Sequence, residues 1–471
     1  MKKVWILPAV LAMVLACAVC SVADVSDGLS ESGSCGSGAI FTLDEETGAM
    51  TISGSGDMSK YNRGQAPWYA YRESIKTLAI DEGITSVGDW AFYGCTSLTT
   101  VALAGTVKDI GVEAFNGCAN LKSVSGGEGV TIIENGAFFN CTGLSDYKIG
   151  SRVVTIAKDA FQNCASLTAV IIPDSVEYVN SGAFANCKAL EVVTLGSGVK
   201  YIGDKAFDAC EALKAITVDS NNGVFSSEGG VLFNKDKTEL LLYPIGASEV
   251  CNLPSSVTSF DQTAFDGCTG LKSIIVDPNS SSFSSKDGIL YDKAKTELIF
   301  CPRGSTASVY VIPESVKTIV DGAFSTCTNL TSIIFGGNVE TVGDGAFLSC
   351  PGLLSVTMYD SVKTIGNNAF FQCMKLMSIT FGDGVETVGS NLMNQTLYDT
   401  DGKTVLSPTA DNVRGSAFEL RDGGLVKVKE VNSDSTDSDD GSSFPTAIVA
   451  VLIVVVILVA AMAAYLKRRN A

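Results

Sequence analysis

The chain has 471 residues, 46% hydrophobic and only 18% charged, a balance that favours packed structure over disorder. It contains no histidine, which excludes Ser-His-Asp and Cys-His catalytic sites and every His-ligated metal centre. The formal charge is −18, and Lys2, Lys3, Lys467, Arg468 and Arg469 sit at the termini with all the acids between them, so the interior of the chain repels phosphate backbones and nucleic acid is not an expected partner.

Residues 1–23 read as a secretory signal peptide. Lys2 and Lys3 precede an apolar run from Val4 to Val19, and Ser21-Val22-Ala23 offers small residues for cleavage before Asp24. Cys17 and Cys20 have C-x-x-C spacing but lie inside that run, and Val14-Leu15-Ala16-Cys17 is a poor lipobox.

Residues 75–395 carry a repeat. Phe92, Phe115, Phe138, Phe161, Phe184 and Phe207 recur every 23 residues, each after an Ala and three before a Cys. The pattern resumes at Ala264-Phe265, Ala323-Phe324, Ala346-Phe347 and Ala369-Phe370. An apolar spine precedes each motif, as in Leu330, Ile333, Phe335, Val339 and Val342. The spacing predicts eleven units, starting at residues 75, 98, 121, 144, 167, 190, 213, 271, 330, 353 and 376. In the last, Leu392-Met393 replaces Ala-Phe. Alternation at Ile333 and Phe335 predicts a half-buried strand; Val339 and Val342 predict a return strand; Ala346-Phe347-x-x-Cys350 predicts one tight helical turn. A single unit cannot close a core, but stacked copies can, so the fold class is a mostly β repeat solenoid. The Phe rings should form a buried column.

Ten cysteines share one repeat position. Side chains stacked in parallel at strand spacing suit disulfide geometry poorly, so these read as small buried hydrophobes. Cys35, Cys251 and Cys301 complete an odd set of thirteen after signal removal, leaving at least one unpaired. Cys301 aligns with Tyr243 and Cys251 with Tyr310, so neither belongs to the ladder.

The units beginning at 213 and 271 are longer and carry the same insert. Phe225-Ser226-Ser227 to Phe233 matches Phe283-Ser284-Ser285 to Tyr291, and Lys237 to Leu240 matches Lys295 to Leu298. Each reads as a β-hairpin, turning at Asn234-Lys235-Asp236 or Asp292-Lys293-Ala294.

Residues 396–430 read as a C-terminal cap or small module. Within them Asp399-Thr400-Asp401-Gly402 resembles the start of a calcium loop, but further ligands are missing and an Asx-type turn fits better. Residues 431–446, rich in Ser and Asp, read as an extended acidic linker. Residues 447–466 are uncharged and at ~1.5 Å per residue long enough for a single transmembrane helix. Lys467-Arg468-Arg469 then place tail 467–471 in the cytoplasm and the rest outside. Asn140, Asn279, Asn329 and Asn394 head glycosylation sequons.

The run Ser361-Val362-Lys363-Thr364-Ile365-Gly366-Asn367-Asn368-Ala369-Phe370-Phe371-Gln372-Cys373 resembles the repeat of the BspA-like leucine-rich repeat surface proteins. The stretch from Cys35 to Tyr69 resembles the N-terminal segment of that family. It implies a β capping region over 24–74, with Phe41-Thr42-Leu43 and Met50-Thr51-Ile52 paired across Glu45-Glu46-Thr47-Gly48. The resemblance implies an extracellular adhesion role and supplies no catalytic residue. No P-loop or dinucleotide fingerprint appears. No catalytic, cofactor-binding or metal-binding residue is therefore assigned, and the chain is not expected to be an enzyme.

The reading is a membrane-anchored cell-surface protein presenting a solenoid to an extracellular protein or glycan ligand. Its alternative is a structural cell-envelope or surface-layer component acting by self-association. Repeats presenting similar exposed residues, such as Thr331, Ser332, Lys272 and Ser273, suggest binding spread over many weak contacts. The two inserts are the places where a local site would interrupt that pattern.

Overall fold

The computed structural model describes residues 30–400, 402–421 and 424–430. The segments expected to be signal, linker, membrane span and tail, 1–23, 431–446, 447–466 and 467–471, lie outside the described residues. Among the described residues no helix is long and apolar enough to cross a membrane. The chain divides after Val153 into two compact units, and each is built as a mostly β solenoid.

The first unit opens with an antiparallel meander, Ser30–Ser34, Ala39–Asp44 and Ala49–Gly54, in which Phe41 pairs with Ile52 and Leu43 with Met50. Ala49–Gly54 then pairs in parallel with Thr77–Ile80, and the column continues through Thr100–Leu103, Ser123–Gly126 and Asp146–Tyr147. Register advances by 23 residues at each step: Thr77 lies beside Thr100, and Thr100 beside Ser123. Alternation sets the faces. Leu78 and Ile80 turn inward and are buried, while Thr77 is exposed. A second column of short return strands runs through Gly56–Asp57, Ile84–Val87, Asp109–Ile110 and Ile132–Ile133.

The Ala-Phe-x-x-Cys segment differs from the single helical turn expected. It is a run of overlapping tight turns whose alternate amides bond to the next repeat. Trp90, Phe92 and Gly94 donate to the carbonyls of Val112, Ala114 and Asn116 at 2.9, 2.8 and 2.8 Å. Trp90 and Gly94 sit in the left-handed region, φ 58° and 70°. A residue there points its N–H along the stack, where a helical residue would spend it within its own turn. Each tip is thus a third hydrogen-bonded ladder. Trp68 begins the aromatic column: it is fully buried, stacks on Phe92 at 5.3 Å and donates its indole N–H to the Ala91 carbonyl. Phe92, Phe115 and Phe138 follow at 5.4 and 5.3 Å.

In the second unit the first-strand column runs through Ala169–Ile172, Val192–Leu195 and Ala215–Val218. It resumes as the pair Val250–Leu253 and Ser273–Val276, then as Val309–Val311, Ser332–Ile334, Ser355–Thr357 and Ser378–Thr380. Each insert is a three-stranded meander, Phe225–Glu228, Val231–Asn234, Glu239–Leu242 in one and Phe283–Lys286, Ile289–Asp292, Glu297–Phe300 in the other. The turns at Asn234 and Asp292 are present, and a second tight turn precedes each, at Gly229-Gly230 and Asp287-Gly288. The third strand joins the return column: Leu240 lies beside Phe260 and Leu298 beside Ile319.

This corrects the repeat count. Each long unit contains two turns of the solenoid, an insert turn and an ordinary one, and with the N-terminal turn the described residues make about fourteen where eleven were expected. The insert turns escaped notice because they lack the tip signature. Tyr243 and Cys301 stand where Phe should, and donate to Ala264 and Ala323 at 2.8 and 2.7 Å as the Phe amides do elsewhere.

Gly230 and Gly288 seat the meanders. Both have positive φ, and a Cβ there would fall 2.9 Å from the Ala215 Cβ and 2.6 Å from the Ser273 Cβ. Their carbonyls accept the amides of Ile216 and Ile274. At the other end, Ser416–Arg421 pairs antiparallel with Ser378–Thr380 and Phe418 packs edge-on to Phe381. Residues 396–430 therefore close the parallel column, burying Leu397, Val413 and Leu425.

Candidate functional site

The outward positions of the first-strand column form an almost uncharged strip. In the first unit it reads Thr77, Thr100 and Ser123 beside Ala79, Ala102 and Ser125, with Asp146 as the one acid. In the second, Ile171, Ile275 and Val311 project outward at 72%, 53% and 57% exposure, unusual values for branched aliphatics. Thr357 and Thr380 continue it. Charges sit along the strand entries and pair between neighbouring turns: Lys214 with Glu191 at 2.9 Å, Lys272 with Glu249 at 2.6 Å. Ser332, expected on the surface, is buried, because Ser355 of the next turn covers it and donates to its hydroxyl at 2.8 Å. Thr331 is half-buried, donating to the Ser308 carbonyl.

The return column of the second unit carries something that reading single repeats missed. Tyr178 and Tyr201 are register neighbours, exposed at 42% and 48%. Glu177 and Lys200 form an ion pair beside them at 2.8 Å. One tyrosine per repeat looks unremarkable; the signal was their 23-residue separation at one repeat position.

The thiols pack into the core. All thirteen described cysteines are buried; Cys17 and Cys20 lie outside the described residues. Ladder thiols donate to the carbonyl of the aromatic position one turn back: Cys118 to Phe92 at 3.2 Å, Cys210 to Phe184 at 3.2 Å, Cys350 to Phe324 at 3.0 Å. That carbonyl already accepts the amide of its own turn, Cys95 N–H to Phe92 at 3.2 Å in the first repeat. The thiol uses its second lone pair, which an Ala or Val would leave empty. Burial pushes the Cys210, Cys251 and Cys268 thiols up to about 12, so they stay protonated and poorly nucleophilic. Alkylation is expected to label them after denaturation and not before. Cys251 occupies an inward strand position beside Ile274, and Cys301 an aromatic one, so both stand apart from the ladder.

Asp399 accepts the amide of Thr400 at 2.7 Å and receives Gly402 N–H on its carbonyl, a turn joining Leu397–Tyr398 to Val405–Leu406; Asp401 lies outside the described residues. Among the described residues no group of three or more acids and cysteines is arranged to hold a metal ion. Of the sequon asparagines, Asn329 donates to the Ser305 carbonyl, Asn394 accepts the Gln372 amide and Asn279 is exposed.

Buried polar groups hold the inserts. Asn222 is fully buried and satisfied on both sides: it donates to the Gly196 and Val199 carbonyls at 3.0 Å each and accepts the Val224 and Phe225 amides. Ser280 is its counterpart, accepting the Phe283 amide at 3.1 Å. Lys235 and Lys293 fold back onto the Asn222 and Ser280 carbonyls.

The chain is similar to several solved structures. A leucine-rich repeat protein from Eubacterium ventriosum is 27% identical, TM-score 0.46, over 80% of this chain and 89% of that one. A leucine rich cell surface protein from Faecalibacterium prausnitzii is 23% identical, TM-score 0.41, over 75% and 89%. A leucine-rich repeat protein from Bacteroides ovatus is 22% identical, TM-score 0.47, over 77% and 93%. No curated protein sequence matches the chain. The BspA type leucine rich repeat region matches in six copies, over residues 67–191, 154–229, 247–305 and 299–419. With the 23-residue register, the Phe column and the two strand columns, that match makes the chain a member of the BspA-type leucine-rich repeat family.

Proposed function

We propose that this protein is an extracellular binding protein, exported by residues 1–23, raised on the linker 431–446 and anchored by residues 447–466, that presents its solenoid to protein or glycan ligands. The observation that carries the reading is the uncharged first-strand strip on a chain of charge −18. Charged residues are depleted where interfaces are driest, because their desolvation is costly. A strip of Thr, Ser, Ala, Val and Ile on a rigid ladder suits a neutral partner surface and repeats along the array, so many modest contacts can add through effective concentration. The alternative is self-association along the same strip, as in a surface layer.

Two measurements test the reading. Protease added to intact cells is expected to release the ectodomain and leave a small membrane stub; protection until lysis overturns the outward topology. The purified full-length chain, in detergent, is expected to bind immobilised extracellular-matrix proteins or arrayed glycans, and Ile171→Glu with Ile275→Glu to weaken that binding in a protein that still folds. Concentration-dependent assembly without ligand binding would favour the structural reading instead.

A further inference from the structure

The two inserts leave different spaces between the tips they separate. An insert turn has no full tip, and only its Tyr243 or Cys301 amide continues the backbone ladder to the tip that follows. In regular repeats the first, third and fifth tip residues donate onward: Gly182, Phe184 and Asn186 bond to Asp204, Ala206 and Asp208 at 3.2, 2.8 and 2.8 Å. The tip that receives them, 203–210, has the same conformation, with Lys205 and Ala209 at φ 57° and 53°. Its own onward amides, those of Lys205, Phe207 and Ala209, have no acceptor among the described residues. A cavity of about 620 Å³ opens in front of Lys205 and Phe207, floored by Leu213, Leu232, Leu242 and Ile245 and rimmed by Asp204 and Asp208.

The second insert is bridged. Gln262, where the first has Asp204, donates to the Asp321 carbonyl at 2.7 Å and to Ile299. Phe300, where the first has Leu242, stacks on Phe265 at 4.9 Å. Arg303, where the first has Ile245, reaches Asp266, the counterpart of Asp208, at 2.7 Å. The preceding tip also rewinds into the short 3-10 helix Gln262–Phe265, whose Asp261 carboxylate takes the Thr263 amide at 2.8 Å. What remains is a shallower hollow of about 360 Å³ along Gln262, Thr318 and Thr341.

We infer that the gap at the first insert is a binding site for an extended polypeptide segment of a partner protein carrying an arginine or lysine. The Lys205 and Phe207 amides, two residues apart, match the carbonyls of an extended chain, which present themselves at the same two-residue interval; this is strand addition to an open ladder edge. The apolar floor takes one side chain. Asp204 and Asp208 are exposed and take the cation, as Arg303 takes Asp266 in the bridged copy. The site names the ligand chemistry of one place on the solenoid, away from the strand strip, and it rests on the binding role proposed above.

The test uses the full-length chain in detergent and a capped six-residue peptide alternating valine and arginine. Expected is saturable binding, with slowed hydrogen exchange in the peptic fragment spanning Lys205 to Ala209. Citrulline in place of arginine should weaken binding about 10-fold, as loss of a charge-assisted pair does. Asp204→Gln with Leu242→Phe and Ile245→Arg copies the bridged insert and should abolish binding while the thermal transition stays put or rises. Equal binding of the arginine and citrulline peptides, or undiminished binding to the bridged variant, overturns the site. So does a gap-dependent dimer, which would assign the space to a second copy, or gap-dependent retention of an oligosaccharide without peptide binding. If the bridged variant loses the peptide yet still binds matrix or glycan through the strand strip, both proposals stand. If the wild-type chain ignores the peptide but binds through the strip, this inference alone fails.

Discussion

The first and second inserts share their meander, their seating glycine and their folded-back lysine, yet one leaves a cavity and the other closes it. The difference comes from three side chains outside the matched motif, Asp204, Leu242 and Ile245 against Gln262, Phe300 and Arg303, and from the rewinding of the second tip into the 3-10 helix Gln262–Phe265. Both inserts break the hydrogen-bond ladder, and the side chains and local winding of the tip decide whether the break stays open. Sequence similarity between the inserts reports on the backbone device and says little about the surface it produces.

The largest test compares the rings beside the two gaps. Phe265 is held between Phe300 and Tyr243 at 4.9 and 5.7 Å, whereas Phe207 stacks on Phe184 at 5.7 Å and fronts the cavity. Both are buried, so either alanine substitution should cost about 3–5 kcal/mol, with Phe265→Ala toward the upper end. Chemical denaturation would read the ordering, and a greater loss for Phe207→Ala would show that its gap is better packed than described.

Next come the latches. Asn222→Ala strands two amides and the Val199 carbonyl at a fully buried position and should cost about 1–3 kcal/mol, whereas Ser280→Ala, which gives up one good bond, should cost about 1 kcal/mol. Hydrogen exchange at Val224 and Phe225 should rise in the first variant. Equal costs would mean that the lysine clamps, present in both inserts, do most of the holding.

Smaller again is the bridge. Gln262→Ala removes donors to the Asp321 and Ile299 carbonyls and should cost about 1 kcal/mol. It should also raise exchange near Ala323 without affecting residues 205–209. A variant as stable as the parent would show that Phe300 and Arg303 close the second gap without it.

The smallest effect is one of pH. The Thr263 hydroxyl, and after it the Thr263 amide, hold the Asp261 carboxyl below the usual carboxylate range. A depressed folded pKa contributes stability that is complete above the unfolded value of about 3.9 and is lost as pH falls through the folded pKa. Asp261→Asn should therefore flatten the acid limb of the stability curve below about pH 4 and change little at pH 7. Melting temperatures between pH 2 and 6 read this directly, and an unchanged acid limb would discount the cap.

The 23-residue recurrence of Phe and Cys was enough to predict the solenoid, its buried aromatic column and its buried thiols, because a ladder repeats each inward contact at one sequence interval. Leu78, Ile80 and Phe92 announce their burial by period alone. The tip geometry was not legible, since Ala-Phe-x-x-Cys suits a helical turn as well as a run of tight turns, and the ladder from Phe92 to Ala114 decides between them. The insert turns were hidden because Tyr243 and Cys301 break the only pattern that marked a turn. Tyr178 and Tyr201 became neighbours, Ser332 became buried and the amides of Lys205 and Phe207 were left facing a cavity through stacking between turns. Inward positions are dictated by the hydrophobic effect acting on each repeat alike. Surfaces and gaps depend on which particular side chains meet between one turn and the next, and that meeting exists only in the folded stack.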